Sequence, residues 1–157
     1  MDQFQTPPVV CDYMASLMLP EFCGFILEPT PGIGNLVKAL NPKGIVITFP
    51  TFEAAYSEFL VTNKKYDWVV MNPPFTPMSE GWRYLTTVTE MSDNIIALLP
   101  YLILINSDIR LKFLFDYGFE SLTSLPRKTF PGSRIQSCII KLQRGYSDST
   151  IFKRFSW

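Results

Sequence analysis

No histidine occurs among the 157 residues, which removes the commonest general base near neutral pH and the commonest metal ligand. Cysteine is scarce as well: Cys11, Cys23 and Cys138 form an odd set with no Cys-x-x-Cys spacing. That argues against a disulfide framework and against a zinc site, and it predicts three buried thiols in a reducing compartment. Charge of neither sign is in surplus, since 14 Lys and Arg balance 14 Asp and Glu, so a uniformly basic nucleic-acid binder is excluded. No apolar run is long enough to cross a bilayer; the longest, residues 94–105, is broken by Pro100. The opening MDQFQTPPVV lacks both the basic start and the apolar stretch of a secretion signal. A soluble cytoplasmic protein without a metal or a membrane partner is the expectation.

What the chain does contain is core. Apolar residues make up 47% and charged residues 18%, which suits one domain over residues 1–157 and excludes a disordered tail. The even balance hides a split: residues 1–100 carry 5 basic and 10 acidic side chains, net −5, and residues 101–157 carry 9 and 4, net +5. Such asymmetry points to an anionic partner for one face. Short runs apolar on both faces, at 24–28, 44–48, 67–71 and 93–99, read as buried parallel strands. Between and around them, 9–18, 35–40, 52–60, 80–91 and 107–117 place apolar residues at helical spacing. Ser107 and Gly118 mark the start and end of the last helix. Residues 120–125 and 136–142 read as an antiparallel pair that closes the sheet. The whole predicts an α/β fold with helices on both faces of a mostly parallel sheet.

Two segments carry chemistry. Glu28-Pro29-Thr30-Pro31-Gly32-Ile33-Gly34-Asn35 follows the first strand and opens a helix, the place where such sheets bind ligands. Its glycines permit close backbone approach, although a tight strand-to-helix turn explains them equally well. Glu28 suits a cationic or amine-bearing ligand rather than a pyrophosphate, and Val37 stands where the dinucleotide fingerprint has its third glycine. Asn72-Pro73-Pro74-Phe75 after the third strand is the more specific segment. Its prolines remove two donors and leave the carbonyls of Asn72 and Pro73 as acceptors beside an aromatic face. This combination suits a planar heterocycle with an exocyclic amine.

With these segments the chain resembles the S-adenosylmethionine-dependent amino methyltransferases of the adenine-N6 DNA type, in the compact manner of phage-encoded members. EPTPGIG resembles the family's cofactor glycine motif and NPPF its catalytic motif. Phe4-Gln5-Thr6-Pro7-Pro8 with Val10 and Met14 resembles the F-x-TP motif that comes first in the gamma ordering. The resemblance implies a Rossmann-like methyltransferase fold with S-adenosyl-L-methionine as cofactor. Thr6, Pro7, Glu28, Pro29, Gly32, Gly34, Asn35, Glu58 and Asn72 are then its cofactor residues, and Asn72, Pro73, Pro74 and Phe75 its catalytic ones. Phe75 and Phe130 would flank a flipped-out base, with Arg127, Lys128 and Arg134 on the substrate side. DNA is the implied partner, with RNA, or the side-chain amide of a protein, as the alternative target of the same motif. A catalytically idle cofactor- or DNA-binding subunit is the reading from another class.

Departures from the family pattern set further expectations. The second strand is not followed by the usual ribose-binding acid, for which Glu53 could substitute. The stretch from Gly34 to Asn72 is short, so one strand–helix unit is expected to be reduced or missing. There is no room for a target-recognition domain, which implies weak specificity or help from an accessory subunit or a second copy. The tail, residues 151–157, is aromatic and basic, and covering a sheet edge is its expected role.

Overall fold

The structure, a computed structural model, describes residues 5–156; Phe4 of the first motif and Trp157 of the tail lie outside the described residues. Four strands rise where short apolar runs were expected: β1 (Phe25–Glu28), β2 (Ile45–Thr48), β3 (Trp68–Met71) and β4 (Asn94–Pro100). β5 (Phe119–Ser124) and β6 (Ser137–Gln143) are the expected final pair, and β7 (Ile151–Arg154) is added by the tail. Together they form one sheet in the order β2-β1-β3-β4-β6-β5-β7. β2, β1, β3 and β4 are parallel, β6 runs antiparallel to both neighbours, and β7 is parallel to β5. The carboxyl ends of every strand except β6 therefore share one edge.

β3 and nearly all of β4 are buried on both faces, which is why their sequences are continuously apolar. One face is covered by α1 (Pro8–Ser16) and α2 (Asn35–Leu40), with Val10, Met14, Leu36 and Leu40 against Ile26, Val70, Ile96 and Leu98. The other face is covered by α3 (Phe52–Thr62), α4 (Met78–Val88), α5 (Tyr101–Ile105) and α6 (Asp108–Tyr117). Phe52, Leu85, Ile103 and Leu114 from these helices close over Leu27, Val69, Met71 and Leu99. Each such large side chain contributes about 1.5–3 kcal/mol by leaving water.

The long apolar run changes structure at Pro100, which ends β4 in register with Ser137 and then caps α5. Periodicity alone does not divide a strand from a five-residue buried helix, so α5 was not expected. The ends of α6 follow their signals. Ser107 Oγ accepts from Arg110 N, and Gly118 adopts φ 138°, where a Cβ would fall 1.9 Å from the Gln143 carbonyl. Between β1 and β3 the chain supplies one strand, β2, which forms the sheet edge; this matches the short stretch read from the sequence. All three cysteines are buried and unpaired, and no described helix is long and apolar enough to cross a membrane.

Candidate active site

The strand order reverses beside β1, because β2 lies on one side of it and β3 on the other. A crevice opens at the carboxyl ends of strands at such a point. Here it is a cleft of about 530 Å³, walled by the loops after β1, β2 and β3, by Gln5 and Thr6 ahead of α1, and by Tyr84 and Ile135.

At one end stands Glu28, the last residue of β1, with no exposure at all. Its Oε1 accepts from Thr30 N at 2.6 Å and from Thr30 Oγ1 at 2.8 Å, while its Oε2 is buried without a partner. Burial pushes the carboxyl up to about 7, and the two bonds from Thr30 oppose the rise. A carboxylate oxygen left bare in this way is costly unless a ligand supplies a donor. Gly32 turns the loop at φ 53°, where a Cβ would sit 3.2 Å from Gln5 Oε1. The cleft wall includes two carboxylates, Glu28 and Glu53, and no Lys or Arg. Phosphate-bearing ligands want the reverse, whereas a cationic amine fits.

At the centre, β3 delivers Asn72, Pro73, Pro74 and Phe75 to the wall. Asn72 N donates to Thr30 Oγ1 at 3.1 Å, so one threonine hydroxyl links the Glu28 carboxylate to the Asn72 backbone. Asn72 Nδ2 donates to Thr6 Oγ1. Phe75 is half-buried and meets Phe130 edge-on, with centroids 5.9 Å apart. At the far end, Phe52 stacks on Tyr84 at 3.8 Å, and the Arg83 guanidinium lies over both rings. Arg83 also pairs with Glu53 at 3.0 Å and Glu80 at 2.7 Å, tying α3 to α4 beside the cleft.

Of the residues expected from sequence, Thr6, Glu28, Pro29, Gly32, Asn35 and the four of NPPF meet on this wall, joined by Glu53. Pro7 instead caps α1, its carbonyl accepting from Val10 N and Cys11 N, and Gly34 caps α2 just outside the wall. Glu58 does not reach the cleft; it is exposed on α3, since five residues turn a helix by about 140° and Glu53 takes the inward direction. Phe130 does not flank the cleft either. It is 3% exposed and sinks into the core with Leu125, Ile139 and Phe155, supporting Phe75 rather than facing it. Arg127, Lys128 and Arg134 are exposed on the loop between β5 and β6, which touches the wall only through Ile135. Gln5, Phe49, Tyr84 and Ile135 are wall residues without a local signal of their own, except that Phe49 directly follows β2.

The reversed strand order, the switch-point cleft and the antiparallel β6 define the Rossmann-like fold of S-adenosylmethionine-dependent methyltransferases. Solved structures make the likeness particular. The type I restriction-modification methyltransferase subunit from Streptococcus thermophilus matches 97% of the chain with TM-score 0.76 and 15% identity. A chain from Vibrio vulnificus YJ016, assigned as a modification subunit of a type I restriction enzyme, matches 99% with TM-score 0.71 and 16% identity. The chain spans 47% of the length of each of these. A chain from Pyrococcus horikoshii assigned as an RNA methyltransferase matches 91%, with TM-score 0.62 and 20% identity, over 88% of its own length. At such identities the likeness establishes the fold. No protein-family model and no curated protein sequence matches the chain.

Proposed function

We propose that the chain transfers a methyl group from S-adenosyl-L-methionine to the exocyclic N6 amine of adenine in DNA, as a compact, phage-like catalytic domain. The observation that carries this reading is a single cleft holding both the bare Oε2 of Glu28 and the Asn72-Pro73 acceptor pair, with Thr30 bonded to each. Bound there, the cofactor would supply an electrophilic methyl on a cationic sulfur able to accept the bonding pair.

The chain's own residues do the rest. Glu28 would hold the cofactor's ammonium group, and Glu53 would take the ribose hydroxyls in place of the acid missing after β2. Asn72 Oδ1 and the Pro73 carbonyl accept the two amine hydrogens and draw the nitrogen from planar toward tetrahedral, which frees its lone pair for the methyl carbon. Phe75 stacks on the base. The surplus amine proton passes to water, because neither an amide nor a carbonyl oxygen retains it. Positioning and polarisation supply most of the catalysis in this reading.

The test is methyl transfer from labelled cofactor to DNA, RNA and protein pools, followed by identification of the modified nucleoside. N6-methyladenine in DNA is expected. Asn72→Ala should lower the transfer rate by roughly 10²–10³, the range for one lost transition-state donor or acceptor, and leave the circular dichroism spectrum unchanged. Near-normal activity in that variant overturns the mechanism. RNA methylation is the second reading, favoured by the fold match over most of the Pyrococcus horikoshii chain. Failure to bind millimolar cofactor would indicate an idle binding subunit.

A further inference from the structure

We propose that Thr6 is a positioning residue for Asn72: its hydroxyl holds the NH2 end of the Asn72 side-chain amide and thereby turns Oδ1 toward the cleft. The inference rests on the methyl-transfer reading of the cleft. A primary amide has two ends of nearly equal size and opposite hydrogen-bonding sense, and a half-turn about Cβ–Cγ exchanges them. Only the oxygen end accepts a hydrogen from an amine; the nitrogen end presents a donor to a donor.

The structure holds this amide through a fixed neighbour. Asn72 Nδ2 donates to Thr6 Oγ1, and Thr6 is 4% exposed. The Thr6 carbonyl accepts from Asn35 Nδ2 at 3.1 Å and from Cys11 Sγ at 3.6 Å, so α2 and α1 both hold it. The Asn72 backbone is held independently, through its N–H to Thr30. Side chain and backbone of one residue are thus tied to two threonines 24 positions apart, one ahead of α1 and one after β1. Thr6 Oγ1, which the family resemblance would give to the cofactor, accepts from the Asn72 amide in this chain.

The test uses the full chain and has two arms. In the first, the side-chain amide signals of Asn72, assigned by their loss in Asn72→Ala, are followed by ¹H–¹⁵N NMR in the free protein. One NH2 proton should be downfield and slow to exchange in the native chain and in Thr6→Ser, and should approach free-amide values in Thr6→Val. In the second, single-turnover methyl transfer should fall roughly 10- to 100-fold in Thr6→Val, the range for one hydrogen bond to a positioned group. Thr6→Ser should restore most of the rate, cofactor Kd should stay within about twofold, and Thr6→Val should add nothing in the Asn72→Ala background. Unchanged Asn72 amide signals in Thr6→Val overturn the proposal. So does a cofactor Kd weakened equally in both backgrounds, which would make Thr6 a direct cofactor contact. Absence of methyl transfer by the native chain overturns the proposed function instead, and the NMR arm still decides whether Thr6 holds the amide.

Discussion

A carboxyl group sealed from water with one oxygen bare holds its proton more tightly than an exposed one, and Glu28 rises from the ordinary 4.5 to about 7 for that reason. Between those values the folded chain keeps a proton that the unfolded chain has released. The stability from this group is therefore complete below about pH 4.5 and is lost as pH rises through 7. Glu28→Gln, neutral throughout, removes the dependence. In urea titrations it should lose less stability than the native chain between pH 5 and 8, by up to about 3 kcal/mol. An equal loss in both proteins would show that Glu28 ionises freely. Under the proposed function an ammonium partner would favour the carboxylate and reverse the sign, so cofactor affinity should rise from pH 5.5 to 7.5. At this scale the sequence was legible where chemistry and backbone constraint coincide: two prolines after a buried strand fix Asn72, and a carboxylate ends an apolar strand at Glu28. Phe49, Tyr84 and Ile135 were not, since each reaches the cleft from a different element and nothing in its neighbours announces the direction.

Among the elements, β7 shows how an edge is finished. Its four residues are mostly exposed, and its pairing with β5 carries the chain to Phe155, which is 8% exposed and meets Tyr13 edge-on at 5.2 Å. That ring fastens the strand to α1, while Phe152, at 69% exposure, does not enter the core. Phe155→Ala should cost about 3 kcal/mol in denaturant unfolding, the lower end for a buried ring, and Phe152→Ala under about 0.5 kcal/mol. Similar losses from both would mean that pairing alone holds β7. That the tail covers a sheet edge could be expected from the sequence; its parallel pairing with β5 could not, because it depends on the loop that carries the chain from β6 past β5 to the far edge. α5 escaped for a related reason. Five residues cannot display a period, and only the turn at Pro100 separates them from β4.

For the whole molecule, the neutral total conceals an ordered arrangement. Lys65, Arg83, Lys112, Lys141 and Arg144 are paired with carboxylates, whereas Arg127, Arg134, Lys153 and Arg154 make no ion pair among the described residues. Arg127 follows β5, and Lys153 and Arg154 end β7 in register with Thr123 and Ser124. All three lie at the carboxyl edge of the sheet, the edge that holds the cleft. These residues form a basic rim at the edge that holds the candidate active site, while Lys38, Lys43, Lys64 and Arg110, on other elements, are likewise without an ion pair among the described residues. Under the proposed function this rim is the surface that would meet a phosphate backbone. Each phosphate neutralised on a single strand contributes about 0.7 to the slope of log affinity against log salt. If Arg127 and Arg134 each hold one, the double variant Arg127→Ala, Arg134→Ala should lower the measured slope on single-stranded DNA by about 1.4. Lys64→Ala removes a charge just ahead of β3, at the opposite edge, and should leave the slope unchanged. Equal slopes in all three proteins would place the nucleic acid elsewhere, and a loss of about 0.7 with Lys64→Ala, half that of the double variant, would mean that the field of the whole surface, not this rim, attracts it.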